Sequence, residues 1–166
     1  MVDLWDFNGF TVASCGLPVL PLPNWQLENW KKQNMNKTEF KKVKSHPYHQ
    51  YLGIENIEAK DGKAVIELVV KPHILNPSGT FHGGVLYTLS DITAFCALIS
   101  LLEENEIGVT NHFSIQVMRA VRTGTIISFQ AEVIKLGKRL AFVECNAFAN
   151  KKLVAKATVT KTLIKL

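Results

Sequence analysis

LNPSGTFHGGVLYTLSDITAF, residues 75–95, decides how the rest of the chain is read. From Gly84 to Leu102 the segment GVLYTLSDITAFCALISLL is apolar on every side of a helical wheel. Such a helix is either a membrane span or the buried axis of a globular fold. Nineteen residues just reach across a bilayer, but Ser90 and Asp91 sit at mid-segment and amphipathic strands flank it on both sides. The pattern therefore predicts a helix wrapped by an antiparallel sheet.

Ahead of the helix, NPSG at 76–79 has Asn first, Pro second and Gly fourth, the preferences of a type I turn, and it delivers the chain to Thr80, Phe81 and His82. The helix starts at Gly83 and Gly84. Their unshielded amides lie at the positive end of the helix dipole and can approach an oxyanion or a polarised carbonyl closely. The structural alternative is that the glycines only permit tight packing there. Asp91 is a sharper signal, because a carboxylate on an apolar helix must be paired, hydrogen-bonded or protonated. Its structural alternative is a hydrogen bond to a neighbouring loop. Eight residues separate Gly83 from Asp91, roughly 12 Å along a helix axis, too far for both to touch one carbonyl group. If they share a site, a second copy of the helix must run antiparallel alongside, as in a symmetric dimer.

Outward from this segment the period changes to two. Ala64, Ile66, Leu68 and Val70 share one face of a strand that Lys71-Pro72 ends. Ile127, Phe129, Ala131 and Val133 form a second such face, Ala141, Val143, Cys145 and Ala147 a third, and Leu153, Ala155, Ala157 and Val159 a fourth. KLGKR at 135–139 and ANKK at 149–152 have hairpin length and turn residues, so these strands form an antiparallel meander. No internal repeat or low-complexity tract interrupts them.

A chain of 166 residues, 47% apolar, can bury a single core. A formal charge of +5 suits an anionic ligand, an acidic surface or simple solubility. Cys15, Cys96 and Cys145 are widely spaced without CxxC, which indicates neither a disulfide framework nor a zinc knuckle and fits a reducing, cytoplasmic interior. His46, His49, His73 and His112 show no zinc-ligand spacing, so no metal is expected. FTVASCGLPVLPLP at 10–23 has the apolarity of an export signal, but Asp3 and Asp6 precede it and no basic residue does. It reads as non-secretory. Its three prolines make residues 1–23 an extended arm. Residues 24–50, with Asn24 as an N-cap and Trp25, Leu27, Trp30, Phe40 and Val43 among charges, read as one or two amphipathic helices. Lys31-Lys32 and Lys41-Lys42-Lys44 are read as a solvated helix face rather than a nucleic-acid contact.

Asn76, then His82-Gly83-Gly84, then Asp91 nine residues after the histidine resembles the signature of the hotdog-fold thioesterases of the phenylacetate-degradation type, in the 4-hydroxybenzoyl-CoA thioesterase superfamily. The likeness covers residues 45–166, through HPYHQYLGI, GVTNHFSIQVMRAVRTGT and IKLGKRLAFVECNAF. It implies an α+β hotdog fold over residues 51–166, an antiparallel sheet wrapped around the long helix, forming homodimers that often pair into tetramers. It implies hydrolysis of an acyl-CoA, with a medium-chain, long-chain or aromatic acyl group, to free acid and CoA, and no cofactor beyond the CoA of the substrate. By the same analogy the Gly83 amide, with Gly84 beside it, binds the thioester oxygen and Asn76 positions the reacting group or water. The partner's Asp91 would be general base or nucleophile, assisted by a hydroxyl early in the next strand, Thr110. His82 belongs to the same site, where it fixes the loop through ring hydrogen bonds more readily than it acts as acid or base. The hairpin with Lys135, Gly137, Lys138 and Arg139 suits the phosphates of CoA, its alternative being a solvated basic turn. Two other classes use the same fold. A dehydratase or hydratase pairs a catalytic histidine with Asp or Glu, and Asp91 lacks a helical histidine partner. A non-catalytic acyl-CoA binding module would keep every group named.

Overall fold

The computed structural model describes residues 36–54 and 56–166, together with the backbone pairing of two short strands, β1 (Trp5–Asp6) and β2 (Thr11–Val12). These two are antiparallel, Trp5 opposite Val12. The rest of the expected arm, and residues 24–35 of the expected helices with Asn24, Trp25, Leu27 and Trp30, lie outside the described residues.

The described helices of that region are α1 (Lys37–Ser45) and α2 (Pro47–Tyr51). Asn36 starts α1, its Oδ1 accepting the Glu39 amide at 2.9 Å. Its Nδ2 donates to the carbonyls of Glu103 at 3.1 Å and Glu106 at 3.0 Å. This buried amide thus ties α1 to the connection that leaves the long helix.

The remaining elements are β3 (Asn56–Lys60), β4 (Lys63–Val69), a 3₁₀ turn at Pro72–Ile74, α3 (Gly83–Ile99), β5 (Glu106–Val117), β6 (Ile126–Leu136), β7 (Leu140–Ala149) and β8 (Lys152–Lys165). The last six strands form one antiparallel sheet in the order β3-β4-β6-β7-β8-β5. The meander β6-β7-β8 is as expected. β5 returns from α3 to the far end and pairs with β8. β3 has no counterpart in the periodicity of the sequence; Asp61-Gly62, both with positive φ, join it to β4 in a two-residue turn. Asn150 and Lys151, with φ of 49° and 62°, do the same between β7 and β8.

The inward faces are those the period of two selects, except at the start of β8, where a register shift buries Val154 in place of the expected Leu153: Ile66, Leu68, Ile127, Phe129, Val133, Val143, Cys145, Ala157 and Val159 are all buried. They pack on α3, whose Leu86, Leu89, Ala94, Cys96 and Leu98 are also buried. The buried hydroxyls of Ser90 and Thr93 donate to the carbonyls of Leu86 and Leu89, four residues back, so neither is left unsatisfied. All-round burial of the helix is not met. A strip with helical spacing, Gly84, Tyr87, Asp91 and Phe95, stays exposed or half-buried, and the sheet covers the other faces.

Candidate active site

The loop before α3 is organised by Asn76. Its Oδ1 accepts the amides of Ser78 at 3.0 Å and Thr80 at 3.1 Å, and its Nδ2 donates to Thr80 Oγ1 at 2.9 Å. The Gly79 amide donates to the Asn76 carbonyl at 2.9 Å, closing the NPSG turn. His82 caps the helix: Nδ1 accepts the Gly84 amide at 2.9 Å, and its carbonyl accepts the amides of Val85 and Leu86. The ring thereby caps the start of the helix. The amide of Gly83 is left without an acceptor among the described residues. The two glycines do different things. A Cβ on Gly84 would press on the His82 ring at 3.1 Å, whereas a Cβ on Gly83 would meet nothing within 4 Å. Among the described residues nothing requires Gly83 to be bare, and open space lies beside it.

Two turns further along α3, Asp91 meets β5 and β8. Thr110 Oγ1 donates to Asp91 Oδ1 at 2.7 Å, and so does Lys161 Nζ at 2.9 Å. Lys161 Nζ also donates to Thr110 Oγ1 at 2.6 Å and lies 5.5 Å from the centroid of the Phe95 ring. Both bonds to the carboxylate engage Oδ1 and leave Oδ2 uncommitted among the described residues. The partners differ in solvation: the Lys161 side chain is 1% exposed and that of Asp91 38%. Burial holds the Lys161 ammonium below its ordinary pKa, and the charge of Asp91 works against that shift.

Thr110 reaches the site because β5 carries a bulge. Thr110 lies opposite Lys161 and His112 opposite Thr160, so Asn111 is one residue too many. Its Nδ2 donates to Thr162 Oγ1 at 2.9 Å. In a regular strand Thr110 and Phe113, three residues apart, would point to opposite faces of the sheet. With the extra residue, both face inward.

Lys161 is a site residue that sequence reasoning missed, although a signal existed. It stands two residues beyond Val159 in the inward register of β8, just past the point where the alternation of apolar residues reads as ending.

The basic hairpin forms a separate surface. Lys135 ends up in β6, and Gly137–Arg139 form the turn closed by the Gly137 amide on the Leu140 carbonyl at 2.8 Å. Lys135, Lys138 and Arg139 are exposed, and none makes an ion pair among the described residues. A Cβ on Gly137 would sit 3.0 Å from the Leu140 carbonyl, which accounts for the glycine within the turn itself. His49 and His73 each place a ring nitrogen on a backbone carbonyl, those of Val43 and Tyr51. Within one chain, then, Asp91 and Thr110 come together, Asn76, His82 and Gly83 gather at the start of the helix, and the two groups remain about two helical turns apart.

The comparisons with known proteins agree with this geometry. The Thioesterase superfamily profile matches residues 78–161, about half of the chain. Acyl-coenzyme A thioesterase 13 of Homo sapiens is 35% identical over 124 residues, 73% of this chain and 88% of that protein. Among solved structures, a mutant of the phenylacetic acid degradation protein PaaI from Thermus thermophilus superposes with a TM-score of 0.65 at 27% identity, covering 70% of this chain and 97% of that one. A hypothetical thioesterase from Streptococcus pneumoniae, solved with coenzyme A, gives a TM-score of 0.60 at 25% identity, covering 68% and 96%. Family profile, relatives and the six-stranded sheet around α3 lead to one conclusion: the chain belongs to the Thioesterase superfamily and is a hotdog-fold thioester hydrolase.

Proposed function

We propose that the protein hydrolyses an acyl-CoA to the free acid and CoA at a site shared by two copies of the chain. The observation that carries this reading is Asp91, a half-exposed carboxylate on an apolar helix, anchored through Oδ1 with Oδ2 open. The uncommitted Gly83 amide supplies the complementary donor. In the first of two routes Oδ2 takes a proton from a water, whose oxygen attacks the thioester carbon. The carbonyl oxygen then becomes an oxyanion facing the Gly83 amide of the other copy, where a fixed donor stabilises developing charge. Breaking the C–S bond releases CoA, whose sulfur receives the proton. In the second route Oδ2 attacks the carbon itself and the C–S bond breaks, releasing CoA as its thiolate; water then hydrolyses the mixed anhydride to the free acid and the Asp91 carboxylate, and the proton this releases balances the thiolate. Asn76 positions the loop that aims the Gly83 amide. Neither route needs a cofactor.

Pairing of two copies is supported by β5, a 12-residue strand hydrogen-bonded on one edge only among the described residues. Its Val109 and Val117, with Met118 just beyond, are exposed, the kind of edge that proteins cover. Assembly of two dimers into a tetramer rests on the resemblance. Tyr87, Phe95 and Phe113 line the strip around Asp91, the Tyr87 and Phe113 rings 6.0 Å apart, which favours a medium-chain, long-chain or aromatic acyl group over acetyl. The hairpin cations, without an ion pair among the described residues, suit CoA phosphates, and the Streptococcus pneumoniae relative was solved with coenzyme A. Cys96 and Cys145 are buried free thiols, in keeping with a reducing, cytoplasmic setting, and no helix among the described residues is long and apolar enough to cross a membrane.

A free-thiol assay over short, medium, long and aromatic acyl-CoAs tests this reading. Release of CoA is expected, fastest for the larger acyl groups. Hydration of an enoyl-CoA without thiol release would make the protein a hydratase, and binding without turnover would make it a carrier.

A further inference from the structure

Lys161 takes no step in either route, yet it is a charged side chain almost without solvent contact. The same inward face of β8 carries Ala155, Ala157 and Val159, so packing alone would be served by another apolar residue. A buried ammonium is strongly unfavourable unless it is well paired. The surroundings are built for this one. Gly108 on β5 lies against its stem at contact distance, a Cβ there falling 3.4 Å from Lys161 Cβ and 3.5 Å from its Cδ, while the side chain that the bare glycine makes room for is Leu98. Two oxygens receive the Nζ protons, and the Phe95 ring lies beside them.

We propose that Lys161 is the positioning residue of Asp91, tying down Oδ1 so that Oδ2 points to the open strip of α3. The hydrogen bonds run in one direction, Lys161 to Thr110 and Thr110 to Asp91, with a direct bond from Lys161 to Asp91. The ammonium can only donate and the Asp91 oxygen accepts, so the single Thr110 proton is committed to Asp91. Thr110 is therefore an orienting group and no proton donor to the substrate. The chargeable groups around Lys161 are Asp91 and Cys96 on α3, with Cys145 of β7 near Asp91 and Lys44 of α1 acting on Cys96. Both thiols are pushed up to about 12 by burial and stay neutral, which leaves Lys161 as the positive charge that touches the carboxylate.

The catalytic half of this inference rests on the thioesterase reading, and the experiment separates the two. In Lys161→Met and Lys161→Gln, checked for folding, kcat should fall by about tenfold or more while KM changes little, because the carboxylate loses the bond that aims it and no contact to substrate is removed. A folded variant whose kcat is unchanged, or whose KM rises while kcat is kept, overturns the proposal. If neither variant folds, the ¹⁵N signal of Lys161 Nζ decides: an ammonium at pH 7 whose signal moves in Asp91→Asn supports the pair, and a neutral amine, or an ammonium signal that does not move, overturns it. If the unaltered protein releases no CoA from any substrate, the thioesterase reading fails, and the same ¹⁵N measurement still judges the pair.

Discussion

Asp91→Asn probes the site through the fold as well as through its chemistry. Asparagine keeps the shape and can keep the bond from Thr110, but it removes the anion beside an ammonium that is 1% exposed. Removing one partner of a fully buried pair costs about 3–5 kcal/mol, and an exposed pair is worth about 0–1 kcal/mol. With Asp91 38% exposed the loss falls between, at about 1–3 kcal/mol. For a chain of this size that is a drop of roughly 2–12 °C in Tm. The pH dependence has a definite sign. Burial already places the folded-state pKa of Lys161 below its ordinary value of 10.5, and Asp91 is what opposes that shift. Without Asp91 the folded pKa falls further. Below the folded pKa the lysine is protonated in both states and the full penalty applies. Between the folded and unfolded values the unfolded chain binds more protons, so stability rises with pH. The variant enters this window at a lower pH than the unaltered protein, and the Tm gap between them should narrow from pH 7 to pH 10. Thermal unfolding at fixed protein concentration and ionic strength measures it; the concentration is held because a dimer's Tm depends on it. Turnover should fall by about 10²-fold or more across the range, including where stability recovers. A Tm equal to that of the unaltered protein at pH 7, or a gap constant with pH, refutes the reasoning.

Mixing a Gly83→Val chain with an Asp91→Asn chain should restore one intact site per heterodimer, and the valine's Cβ meets no atom of its own chain, so that parent should fold. Mixed oligomers verified by mass that stay as inactive as both parents would exclude the shared site. Lys138→Ala with Arg139→Ala should raise KM for acyl-CoA several-fold and leave kcat and short pantetheine thioesters nearly unaffected, because the lost contacts are to phosphates remote from the reacting carbon. Equal losses on both substrates would remove the hairpin from the CoA site.

What is legible in the sequence follows from what repeats. Four strands declare themselves because each buries a run of alternate residues on one face, as at Ala64, Ile66, Leu68 and Val70. The NPSG turn and the helix start are legible because Asn, Pro and Gly have strong local preferences. β3 is not, since only Ile57 of its five residues is buried and one apolar position sets no period. The bulge at Asn111 is also invisible, because an extra residue shows only against the partner strand. Lys161 is hidden for the opposite reason. A lysine at the end of an apolar alternation reads as the place where a strand leaves the core, whereas here the strand continues inward and the lysine goes with it.

The pattern of α3 carries information beyond one chain. Its residues are apolar on every side, which predicts burial on every side, yet Tyr87 remains 47% exposed and Asp91 and Phe95 are only partly covered. Among the described residues the sheet leaves this strip uncovered, because it curls around the helix from one direction and ends at β5. Thr110, in contact with Asp91, belongs to that same edge strand. Among the described residues the uncovered strip, the unpaired edge and the carboxylate therefore meet in one place, and a second copy paired along β5 would cover the first two. With the helices antiparallel, it would also bring an open Gly83 amide to a carboxylate that its own chain holds two turns away. The apolarity that makes the helix look overdesigned for a monomer is what the proposed shared site requires.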